Sequence, residues 1–162
     1  MTNARVFGAT ALLFLAIGCG GSEGSAKAES STPAAGGGAP ALTEFELEHG
    51  IGPVKTAVEL GTLDQALVTQ GKAAFEARCT ACHKMTEKYV GPELGEVTTR
   101  RSPTFIMNMI LNPQEMIERH PVGKQLLAEH MTYMANQGAS QEEARAIVEY
   151  LRTQAKGTVR TK

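Results

Sequence analysis

The sequence predicts an all-α domain of about four to five helices. Three observations carry that expectation. Two helix starts are explicit. Ser102-Pro103 places serine at an N-cap and proline at N1, and Ser140-Gln141-Glu142-Glu143 is a capping box. Apolar residues recur at helical spacing through Leu67 and Phe75, through Phe105 to Leu111, and through Ala144, Ile147, Val148 and Leu151. Polar–apolar alternation of the kind a strand shows is confined to Glu44–Glu48. The aromatic content is 5%, with no tryptophan, a thin supply for a small core.

Between the first two of these helical stretches lies Cys79-Thr80-Ala81-Cys82-His83, the pattern of covalent haem attachment. Two cysteines three apart at a helix end lie on nearly the same side, so each can form a thioether with one vinyl group of the same porphyrin. His83 then follows in position to put an imidazole nitrogen on the iron. A structural zinc site needs four ligands, and the chain has neither a second cysteine pair nor a second histidine at zinc spacing. A thioredoxin-like dithiol would need a βαβ setting, which the pattern lacks. The expected architecture is therefore helices around one covalently bound haem, with the macrocycle completing the core.

The 162 residues suit one domain plus tails, and a net charge of −1 gives no basic footprint for nucleic acid. Residues 1–18 read as an export signal. Arg5 precedes an apolar run from Val6 to Ile17, too short to span a bilayer. The run ends in Leu15-Ala16-Ile17-Gly18-Cys19, which resembles the lipobox of bacterial lipoproteins and implies lipidation of Cys19. An uncleaved signal anchor or a plain secretory signal are the alternatives. Residues 19–42, rich in Gly, Ser, Ala and Pro, form a flexible tether with a reach of about 25–30 Å. Residues 43–63 are an N-terminal extension. Here Glu44–Glu48 permits a short strand, Gly50-Ile51-Gly52-Pro53 breaks it, and Val54, Val58 and Leu60 lie along the domain surface. His49 reads as a solvated loop residue.

The haem domain is expected over 64–156. Asp64 caps a first helix that runs to Arg78, with Gly71 inside it permitting close approach of another helix. Residues 85–101 form a loop whose Gly91-Pro92 turn could present the Pro92 carbonyl to the second ring nitrogen of His83. The Ser102–Leu111 helix carries a wide apolar face, with Met107 and Met109 as packing. Helices over 114–119 and 122–133 follow, the second with Leu126, Leu127 and Met131 inward. The last helix runs from Ser140 to about Gln154, and 157–162 is a basic tail.

From about residue 43 to 155 the chain resembles the small mono-haem c-type cytochromes. The carriers are Gly71 and Phe75 before the motif, Gly91-Pro92-Glu93-Leu94 after it, and Tyr150-Leu151 in the last helix. The resemblance implies a cytochrome c-like fold, crossing of the first and last helices at Gly71, Phe75 and Tyr150, and a Pro92 carbonyl bracing His83. "HGIGPVK", "CTACHKM", "YVGPELGEVTTRRSPTFIMNMILNP" and "EEARAIVEYLR" are similar to a bacterial subgroup associated with nitrous-oxide reduction, with Phe105 where that subgroup usually has tryptophan. The family closes its iron with a methionine shortly before the last helix. Met134, six residues before Ser140, fits that spacing better than Met131, with His130 or an open position as alternatives.

The cofactor-binding set expected is Cys79, Cys82, His83, Pro92 and Met134, with His83 and Met134 on the metal. A closed iron passes single electrons, so the expectation is a carrier rather than an enzyme, with no small-molecule substrate. Its place would be the periplasmic side of a membrane, anchored through Cys19. Its partners would be redox proteins: a donor such as a quinol-oxidising complex, and an acceptor such as a terminal oxidase or a terminal reductase, nitrous-oxide reductase among them. A haem-based gas-binding or sensor module with an open iron is the rival reading, and a structural lipoprotein with a chance motif a blander one.

Overall fold

Capping chemistry places most of the helices. A computed structural model describes residues 40–156. The expected signal peptide, Cys19, most of the tether and the tail at 157–162 lie outside the described residues. Seven helices follow one another: α1 Glu44–His49, α2 Gln65–Arg78, α3 Val97–Arg100, α4 Pro103–Leu111, α5 Pro113–Arg119, α6 Pro121–His130 and α7 Gln141–Arg152. Asp64 caps α2 by accepting from the N–H groups of Ala66 and Leu67. Ser102 caps α4 by accepting from Phe105 N–H, and Ser140 closes a capping box with Glu143 on α7. No strand occurs among the described residues.

Five helices match the expectation; α1 and α3 are additional. The alternating Glu44–Glu48 stretch is helical, not extended. Thr43 accepts from Glu46 N–H while the Glu46 carboxylate accepts from Thr43 N–H, so a second capping box starts α1. Five residues of alternation fit one helical turn as well as a strand, and the cap decides between them.

The core sits where α2 and α4 meet α7. Gly71 of α2 lies against the backbone of Ala146, and a Cβ there would run into the Ala146 carbonyl oxygen. Phe75 and Tyr150 pack beside that crossing with ring centroids 5.4 Å apart. Ile106, Met107, Ala144, Ile147, Val148 and Leu151 complete the buried cluster. Val54 belongs to it as well, at 4% exposure, and is not a surface residue as the sequence suggested. The reason is Asn108 on α4. Its buried amide accepts from Val54 N–H and donates to Val54 O, His49 O and Gly50 O, drawing the 49–54 segment into the domain. A second cluster holds Ile51, Phe105 and Met116.

Candidate functional site

The attachment motif is a turn spun off the end of α2. Cys79 is the C-cap of that helix, its N–H bonded to Phe75 O at 2.8 Å. Its carbonyl then accepts from both Cys82 N–H (3.1 Å) and His83 N–H (2.9 Å), which winds the two cysteines and the histidine into one tight loop. Cys79 is half-buried and Cys82 exposed, both as free thiols. Burial pushes the Cys79 thiol up to about 11, with the Cys82 thiol adding to that rise and Arg78 opposing it.

Residues 84–95 fold back onto this turn. Gly91 N–H donates to Cys82 O, Leu94 N–H to Lys84 O and Gly95 N–H to Met85 O, each at 2.9 Å. That return brings Pro92 O to 2.9 Å from His83 Nδ1. A carbonyl only accepts, so Nδ1 carries the proton and Nε2 keeps its lone pair for a metal. Desolvation lowers the His83 pKa, the Pro92 bond opposes the drop, and the charge of His130 adds to it. The imidazole is thus held neutral. Glycine is required at 91, because a Cβ there would stand 2.5 Å from His83 Cε1.

A second segment, 131–139, carries Met134 between α6 and α7, and it is tied to the same end of α2. Arg78 donates to Gln137 O at 2.9 Å and pairs with Glu143 at 3.0 Å, while Asn136 Nδ2 donates to Leu111 O at 3.0 Å. Met134 is half-buried. Met131 is not the inward packing residue expected. It follows the last residue of α6, takes left-handed backbone at φ 53°, and is 84% exposed. The helix expected to reach Tyr133 therefore stops at His130.

The remaining histidines are placed apart by their bonding. His120 caps α6, its Nδ1 accepting from Val122 N–H and its Nε2 donating to Leu47 O, so both nitrogens are engaged. His49 ends α1 and bonds Ser102 Oγ at 2.9 Å, half-buried rather than solvated. His130 is different. Its Nδ1 is buried without a hydrogen-bond partner among the described residues, and nothing in the sequence signalled that. Lys88 Nζ donates to Glu129 O at 2.8 Å, joining this end of α6 to the loop that follows His83.

A helix-end Cys-x-x-Cys-His turn with a braced imidazole, on an all-helical scaffold, defines a c-type haem domain. The chain belongs to the cytochrome c family: the Cytochrome c family model matches residues 68–155, more than half of the chain. It is similar to a cytochrome c from Rhodothermus marinus of known structure, 52% identical over 68% of this chain and 95% of that one, with a TM-score of 0.64. An engineered form of that cytochrome, bound to the carbene intermediate 1-ethoxy-1-oxopropan-2-ylidene, superposes with a TM-score of 0.62 at 52% identity, over 68% of this chain and 96% of that one. A cytochrome c-553-like protein of Synechocystis is 34% identical over 62 residues, 30% of this chain. The chain spans 59% of the length of that curated relative. The resemblance to a small c-type cytochrome is thus borne out, and membership implies one covalently bound haem c.

The residues present fit that group. Two thiols and a free Nε2 occupy one turn. Four large apolar side chains, Tyr89, Val90, Met131 and Tyr133, are exposed on the loop after His83 and on the segment before Met134, apolar surface that an apolar group could cover. The unpartnered His130 Nδ1 lies among them in sequence, between Lys88's anchor point and Met131.

Proposed function

We propose that the protein is a lipid-anchored mono-haem electron carrier working on the periplasmic side of a membrane. When bound, haem supplies a one-electron ferric/ferrous couple. Cys79 and Cys82 would hold it by thioethers, and His83 Nε2 and the Met134 thioether would be the groups offered to its iron. Pro92 fixes the His83 tautomer and ring orientation, which keeps the ligand basic. A thioether on the iron would favour the reduced state, so a positive midpoint potential is expected. Cys19 carries the lipid, and residues 19–42 tether the domain to the membrane. The partners are a donor such as a quinol-oxidising complex and an acceptor such as a terminal oxidase or reductase. The segments similar to the nitrous-oxide-associated subgroup make nitrous-oxide reductase the first acceptor to test.

The observation that carries this reading is the 2.9 Å bond from His83 Nδ1 to Pro92 O, which leaves Nε2 free at a cysteine-pair turn. The test has two parts. Haem should stay on the wild-type chain through denaturing electrophoresis, and Cys79→Ala with Cys82→Ala should abolish that. The reduced wild type should bind carbon monoxide poorly; ready binding would mean an open iron and would replace the carrier with a gas-binding module. Expressed with its own leader, the protein should fractionate with membranes, and Cys19→Ser should release it or leave it unprocessed.

A further inference from the structure

The imidazole of His130 has no structural employment. His120 spends both nitrogens on a helix cap and a carbonyl, and His49 bonds Ser102. His130 instead keeps a buried Nδ1 without a partner among the described residues, an arrangement that costs stability and needs a reason. Its position supplies one. His130 ends α6, and Glu129 beside it is fastened by Lys88 to the loop that follows His83. Directly after His130 the chain turns through the left-handed backbone of Met131, and Met134 follows on a segment outside any helix. The end of α6 therefore carries an unpartnered imidazole four residues before the methionine of the following loop.

We propose that His130 is an alternative ligand for the haem iron: when Met134 is absent or leaves, the His130 imidazole would bind the iron in its place. The exchange breaks a sulfur–iron bond and forms a nitrogen–iron bond from a neutral imidazole, with no change of electron count. It rests on the haem-carrier reading above. Because imidazole replaces thioether, the exchange lowers the midpoint potential and favours the ferric state.

The test uses the full-length haem-loaded protein with Met134→Ala, and Met134→Ala combined with either His130→Ala or His130→Phe, the second keeping a ring in place. Met134→Ala should remain low-spin when ferric, with the electron paramagnetic resonance signature of two imidazoles and a lowered midpoint. Either double variant should turn high-spin, and added imidazole should return it to low-spin. If His130 occupies about 90–99% of Met134→Ala molecules, that variant should bind carbon monoxide about 10–100-fold more weakly than the double variants. A Met134→Ala protein that is already high-spin and binds carbon monoxide like the double variants overturns the proposal. Failure of the underlying reading would show elsewhere, as a wild type without covalent haem or with an open iron.

Discussion

Asn108 binds both backbone groups of Val54, its Oδ1 accepting from Val54 N–H at 3.0 Å and its Nδ2 donating to Val54 O at 3.1 Å. One buried amide thereby does for an irregular segment what a ladder neighbour does for a strand. Asn108→Ala should strand those groups and cost about 2–4 kcal/mol, since each buried unsatisfied backbone group costs about 1–3 kcal/mol. Denaturant midpoints of the haem-loaded protein would measure it. A loss under about 0.5 kcal/mol, the range of ordinary surface changes, would mean the 49–54 segment is not held this way.

Gly71→Ala tests the crossing of α2 and α7. The new Cβ meets backbone, the Ala146 carbonyl, and backbone cannot rotate aside. Overpacking of this kind costs about 1–3 kcal/mol or more. The expected result is a lower melting temperature with an unchanged haem spectrum, because the collision lies at the helix crossing and not at His83.

The two thiols should differ before haem is attached. Chain produced without haem should react with iodoacetamide first at Cys82, which is exposed, and later at Cys79, whose thiol is pushed up to about 11. The folded Cys79 holds its proton where the unfolded thiol releases it. Its contribution to stability is therefore present below the ordinary value of 9.0 and is lost as pH rises from there through about 11. Mature protein with thioethers should not show that alkaline loss. Peptide mapping of the alkylated chain would reveal the order.

Glu149 is buried and bridges Arg145 at 2.7 Å and Arg152 at 2.6 Å. Glu149→Ala leaves two guanidinium groups short of their carboxylate. Removing one partner of a buried pair costs about 3–5 kcal/mol, and the low end applies because both arginines are partly solvated. Glu149→Gln, which keeps the shape and an acceptor oxygen, should recover part of the loss in thermal melts.

What the sequence made readable was chemistry confined to a few neighbouring residues. Asp64, Ser102 and Ser140 cap helices as their types require, and Pro92 meets His83. What it hid depended on distant partners or missing signals. Val54 looked like surface because the residue that buries it, Asn108, stands 54 positions later inside an apolar helix. The end of α6 was overrun because no glycine marks it; methionine takes the left-handed cap instead. Thr43 and Glu46 were a legible capping box that the alternation of Glu44–Glu48 obscured. The orphaned nitrogen of His130 was beyond reach, since want of a partner is a property of packing alone.

The Gly91-Pro92 turn has a consequence for speed. A ligand that swings when its metal gains or loses charge forces its surroundings to rearrange, and that rearrangement is part of the barrier to every electron hop. His83 is bolted at Nδ1 by a carbonyl, pressed by a glycine that admits no Cβ, and wound to α2 through Cys79 O. As the iron ligand proposed above, it would have little freedom left to follow the charge. The reorganisation energy on that side of the site should be small, and exchange between partners should be governed by how closely they approach.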